Sequence, residues 1–136
     1  MKASAMNHTA PVLSEQDALG VVTLTLNRPQ SFNALSAAML DGLQAALDRV
    51  AADDSVRVVV IQAAGKAFCA GHDLKEMRAE PSRPYYEQLF AQCGRFMMSI
   101  QQLPVPVIAR VQGMATAAGN RWMLIIMRPH CAKSCS

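Results

Sequence analysis

Val58-Val59-Val60-Ile61, followed by Gly65-Lys66-Ala67-Phe68-Cys69-Ala70-Gly71-His72-Asp73-Leu74-Lys75-Glu76-Met77, decides the fold of this chain. The first four residues read as a buried strand, because β-branched side chains suit a pleated, two-sided core. The longer stretch lies where that strand ends and a helix begins. Asp73, with Glu76 three residues on, has the spacing of a capping box, so the helix starts just after Asp73. At such a junction backbone N–H groups are free, the helix dipole is positive and a glycine lets a ligand approach. The main chain alone can then supply an oxyanion site.

Upstream, Val21-Val22-Thr23-Leu24-Thr25-Leu26 predicts another strand, broken by the turn residues of 27–33. Ser36 is placed to cap a helix, and Met39, Leu40, Leu43, Leu47 and Val50 recur on one face of it. The helix ends near Ala52, Asp53-Asp54-Ser55 turns the chain, and 56–62 is the second strand. Strand, helix, strand at this spacing is a right-handed βαβ unit with parallel pairing. Downstream, a short helix is stopped by Pro81 and Pro84. Tyr86, Leu89, Phe90, Cys93, Phe96, Met97 and Ile100 then share one face of a longer helix that ends before Leu103-Pro104. Residues 105–111 form a third strand, and the small residues of 112–119 turn toward a further helix. Residues 1–19 read as a loose lead-in.

Composition bounds the function. The chain of 136 residues is 51% hydrophobic and 17% charged, a globular balance for one domain at most. Net charge is +3, and all of the excess comes from Arg121, Arg128 and Lys133; before them ten basic residues balance ten acidic ones. A nucleic-acid surface would carry a basic face along the body of the chain, so no nucleic-acid partner is expected. No apolar run approaches the length of about eighteen residues that a membrane span needs. Cys69, Cys93, Cys131 and Cys135 sit in a sequence whose first twenty residues lack the apolar core of a secretory leader, so reduced thiols and a cytoplasmic location are expected. His130-Cys131 and Cys135 lack a second Cys/His pair to complete four ligands, so no metal is expected.

Three generic motifs fail. A phosphate-binding loop ending at Gly65-Lys66 would need glycine at position 60 and Ser or Thr at 67, where Val60 and Ala67 stand. The G-x-S-x-G elbow and the dinucleotide G-x-G-x-x-G are absent. What remains is a repeated geometry: small-residue turns after two strands, Ala70-Gly71-His72 and Ala117-Ala118-Gly119, able to aim two N–H groups at one oxygen.

These turns stand in a larger pattern of Leu26-Asn27-Arg28-Pro29 with Asn33-Ala34-Leu35, then 66–74, then Pro104-Val105-Pro106-Val107-Ile108-Ala109 with Val111-Gln112-Gly113 and Ala117-Ala118-Gly119. Across residues 20–119 the chain resembles the crotonase (enoyl-CoA hydratase/isomerase) superfamily. The His in Ala-Gly-His-Asp-Leu is most similar to the enoyl-CoA hydratase domain-containing protein 3 subgroup.

The resemblance implies an α/β fold: part of a crotonase-type ββα spiral with parallel strands and crossover helices. It implies that the N–H groups of His72 and Ala118 form an oxyanion hole for an acyl-CoA thioester. Ala34, Ala70, Gly71, Asp73 and Leu74 would line the CoA path, with Lys66 toward a CoA phosphate. Coenzyme A enters as part of the substrate, with no separate cofactor, and a homotrimer or hexamer is implied. On the residues alone, Asp73 is a helix cap and Cys69 is a small buried hydrophobe; the resemblance implies that His72 acts through its amide and not its imidazole.

Hydratases of the family use two glutamates as acid and base. The first falls at Arg121, which does not exchange protons near neutrality, and residues 121–136 contain no Asp or Glu. The expected division is therefore a lead-in (1–19), a crotonase-like part (20–119) that stops before the family's C-terminal half, and a divergent tail (120–136). Two functions follow from the resemblance: hydration of a 2-enoyl-CoA, or a fragment or binding module without turnover.

Overall fold

The computed structural model describes residues 8–116. A four-stranded sheet contains β1 (Val12–Gln16), β2 (Val21–Leu26), β3 (Val58–Ala63) and β5 (Val107–Ala109), in the order β1-β2-β3-β5. β1 is antiparallel to β2, and the other pairs are parallel. The β2–β3 register runs from Val21 opposite Val58 to Leu26 opposite Ala63. A second, two-stranded parallel sheet pairs β4 (Ala67–Cys69) with β6 (Met114–Ala115).

β1 corrects the expectation of a loose lead-in. Its last three residues are exposed, so it carries no apolar alternation to read. Backbone pairing with β2 holds it in place, and Asp17 Oδ1 closes the turn by accepting from Leu19 N and Val21 N at 2.8 and 3.0 Å.

α1 (Ala37–Ala51) crosses from β2 to β3. Ser36 caps it, its hydroxyl accepting from Met39 N at 3.1 Å. Met39, Leu40, Leu43, Ala46, Leu47 and Val50 are buried, matching the apolar stripe. They meet Val22, Leu24 and Leu26 of β2 and Val59 and Ile61 of β3 in one core that also takes Phe68, Phe96 and Ile100. Each fully buried leucine there contributes about 2–5 kcal/mol against truncation to alanine.

α2 (Leu74–Ala79) is short, and α3 (Arg83–Gln102) is long. Pro84 does not stop α2; it lies at the start of α3, where its missing N–H costs nothing and its fixed φ favours the helix. Ser82 caps α3 by accepting from Tyr85 N at 3.3 Å. β5 is shorter than the expected 105–111, and the expected turn at 112–119 contains β6. Gly113 makes that pairing possible. It has φ +62, and a Cβ there would stand 1.9 Å from Lys66 O.

Candidate functional site

The turn at 69–73 is held from three sides. Ala70 N donates to Phe32 O at 3.1 Å, and Leu35 N donates to Gly71 O at 2.7 Å. Leu35 and His72 thereby form an isolated parallel bridge that brings Ala34 beside the turn. From the other side, Thr116 N donates to Cys69 O at 3.1 Å and Thr116 Oγ1 to Ala70 O at 3.2 Å. From within, Gly71 N donates to Cys69 Sγ at 3.5 Å. Gly71 has φ +90, a left-handed backbone that glycine adopts at no steric cost.

These bonds leave a pattern. Ala70 N and Gly71 N are engaged, whereas the His72 N–H has no acceptor among the described residues. A free main-chain donor in a turn anchored in this way can hold an anionic oxygen. The second expected donor, Ala118, lies outside the described residues. Thr116, two positions before it, is bonded to this same turn.

Asn33 underlies the arrangement. It is fully buried, with φ +52. Its Nδ2 donates to Ala64 O and Ala67 O, each at 2.9 Å, and its Oδ1 accepts from Arg28 N at 2.8 Å. One side chain thus joins the 28–35 loop to the β3–β4 connection and the start of β4, and satisfies one buried and two partly buried backbone groups.

The two carboxylates near the turn have structural partners. Asp73 Oδ1 accepts from Lys75 N and Glu76 N, each at 3.1 Å, capping α2 as its sequence spacing predicts. Glu76 does not complete the reciprocal half of a capping box. Its Oε1 accepts instead from Ala37 N at 3.1 Å and from Tyr85 Oη at 2.6 Å, tying α2 to the start of α1 and to α3. The bond to Glu76 pushes the Tyr85 phenol up to about 12.

His72 is half-buried, and its ring meets Phe90 edge-on, centroids 5.2 Å apart at 79°. Burial lowers its pKa, favouring the neutral ring. Nδ1 is sealed from solvent without a hydrogen-bond partner. Cys69 is fully buried, and burial raises its thiol to about 11, partly offset by the Gly71 N–H. Leu74 is exposed, and Lys66 is exposed without a partner among the described residues. Thus Ala34, Ala70, Gly71, His72, Asp73 and Leu74 adjoin one turn, and Lys66 stands on the loop before β4. Leu35, Thr116 and Phe90 also build the site and were not identified from sequence as site residues. Phe90 was placed on the core stripe of α3, yet it is half exposed and faces His72. Among the described residues no three His, Cys, Asp or Glu side chains gather as metal ligands, and no helix is long and apolar enough to cross a membrane.

The enoyl-CoA hydratase/isomerase family model matches residues 16–127. The mitochondrial enoyl-CoA hydratase domain-containing protein 3 of Xenopus laevis is 44% identical over 116 residues, covering 85% of this chain and 39% of the relative. Its human counterpart is 44% identical over 100 residues, covering 74% and 33%. The crystal structure of an enoyl-CoA hydratase from Mycobacterium smegmatis superposes with a TM-score of 0.83 and 64% identity, covering 85% of this chain and 45% of that one. The chain therefore spans under half the length of these relatives, and over that span it has their crotonase-type α/β fold.

The expected cytoplasmic location is overturned, because the Xenopus and human relatives are named as mitochondrial proteins. Reduced thiols do not distinguish one reducing compartment from another. The bonded turn with its free amide, the parallel sheet behind it and these matches together lead to one identification: the chain belongs to the enoyl-CoA hydratase/isomerase family.

Proposed function

We propose that the chain receives an acyl-CoA thioester with its carbonyl oxygen on the His72 N–H, and that Ala118 N–H is the second donor. The observation that carries this reading is the His72 amide, which has no acceptor among the described residues while the amides of Ala70 and Gly71 before it are engaged. Negative charge grows on a thioester oxygen when a proton leaves the adjacent carbon or water adds to a conjugated double bond. A preorganised donor at that oxygen contributes about 2.7–4 kcal/mol to the barrier in well-studied cases. Ala34, Ala70, Gly71, Asp73 and Leu74 would follow the CoA moiety, and the exposed Lys66 is free to meet a phosphate. The reaction class is hydration of a 2-enoyl-CoA.

A second reading, thioester binding without turnover, is favoured by a specific observation. Proton transfer needs a free acid or base. Asp73 caps α2, Glu76 clamps two helices, and residues 121–136 contain no Asp or Glu. Calorimetry with butyryl-CoA and with CoA, beside a crotonyl-CoA absorbance assay, separates the readings. The hydratase reading predicts thioester binding with loss of the conjugated absorbance. Binding without that loss selects the second reading, and no binding contradicts both.

A further inference from the structure

We infer that the His72 side chain presents a fixed, neutral Nε2–H donor to an oxygen acceptor on the bound thioester, selecting the ligand while the amide of the same residue holds the carbonyl. This inference rests on the thioester reading above.

Nδ1 is sealed and has no partner. A proton on Nδ1 would therefore leave a buried N–H unsatisfied, the rarer and costlier defect, while a bare lone pair there costs less. The imidazolium would place a charged N–H in the same sealed position, which is worse again. The neutral ring protonated on Nε2 remains. Edge contact with Phe90 on α3 limits rotation of that ring, and the Leu35–His72 bridge fixes the backbone beneath it. That leaves Nε2, which has no hydrogen-bond partner among the described residues, as the ring nitrogen to meet a ligand.

Because this donor and the free amide belong to one residue, the acceptor it serves lies close to the thioester oxygen. Two parts of the ligand offer such an oxygen: an oxygen substituent on the acyl chain, and the pantetheine amide nearest the sulfur. A site that donates a hydrogen bond discriminates against ligands lacking the acceptor, because its polar group is then left unpaired.

The test has two readouts. Nitrogen-15 NMR of the imidazole near neutral pH is expected to show protonated Nε2 and unprotonated Nδ1. The opposite tautomer, an averaged pair or an imidazolium overturns the inference. Affinities for acetoacetyl-CoA, butyryl-CoA and CoA are then compared in wild type, His72→Phe and His72→Gln. If the acceptor is on the acyl chain, His72→Phe weakens acetoacetyl-CoA about threefold to tenfold more than it weakens butyryl-CoA. If it is on pantetheine, all three weaken together. In either case His72→Gln, which keeps a donor, retains most of the affinity. Unchanged affinities in His72→Phe overturn the inference. A wild-type chain that binds none of the three contradicts the thioester reading and the ligand half of this one; the tautomer is then decided by NMR alone.

Discussion

Asn33 shows how much one polar residue can organise in this chain. Its amide satisfies the carbonyl of Ala64 between β3 and β4, the carbonyl of Ala67 at the start of β4 and one N–H from its own loop, and all three bonds are buried or partly buried. Asparagine also tolerates the left-handed backbone it adopts here, which most residues with a Cβ resist. Asn33→Ala is expected to lower stability in urea by about 2–4 kcal/mol, since one buried and two partly buried groups lose their partner; a loss under about 1 kcal/mol would contradict this role. In the sequence, Asn33 was legible as a turn residue within a family-like motif, but its burial depends on residues over thirty positions away. His72 gives a second test at this scale. Its pKa is lowered from 6.5 by burial, so as pH falls through about 6.5 the unfolded chain takes up a proton before the folded one. The unfolded state then binds more protons, and stability declines with falling pH. Urea midpoints at about pH 8 and about pH 5.5 should show this decline, and His72→Phe should make it shallower. An equal decline in both proteins would remove His72 as its source.

α1 and the buried face of α3 were legible because their apolar residues recur every three or four positions over several turns. β2 and β3 were legible from their β-branched runs. β4 and β6, with three and two residues, carry no period long enough to read; pairing with each other creates them. The stripe on α3 also could not show which edge of it remains exposed, so Phe90 read as core. Glu76 illustrates a similar limit. Its spacing from Asp73 signals a capping box, yet a nearby helix terminus and a phenol compete successfully for its carboxylate. Glu76→Ala is expected to cost about 1–3 kcal/mol and to bring the Tyr85 phenol down from about 12 toward 10. Spectrophotometric titration of the chain's two tyrosines checks this, and an unchanged curve would show that the clamp does not exist in solution.

Across the molecule, the βαβ order and parallel pairing were set by the alternation of strand-like and helix-like stretches. The turn that carries His72 was legible because strand, small-residue turn and cap follow one another directly. Ala118, proposed as the second donor, lies outside the described residues. At the end of the sheet opposite β1 stands β5, where Ile108 is 52% exposed, and Val111 and Met114 are also exposed nearby. An apolar sheet edge with no further strand beside it among the described residues favours association. The chain is therefore expected to show concentration-dependent self-association in sedimentation, reduced by Ile108→Lys; identical behaviour of the two proteins would exclude this edge. The central claim is that the His72 N–H receives the thioester oxygen. Its most direct test is the His72 amide resonance in proton–nitrogen correlation spectra, recorded with butyryl-CoA and with the S-butyl thioether of CoA, which lacks the carbonyl. The account predicts a downfield shift of that amide proton with the thioester alone. Binding of both ligands with the His72 amide unmoved, or moved equally by each, would contradict it.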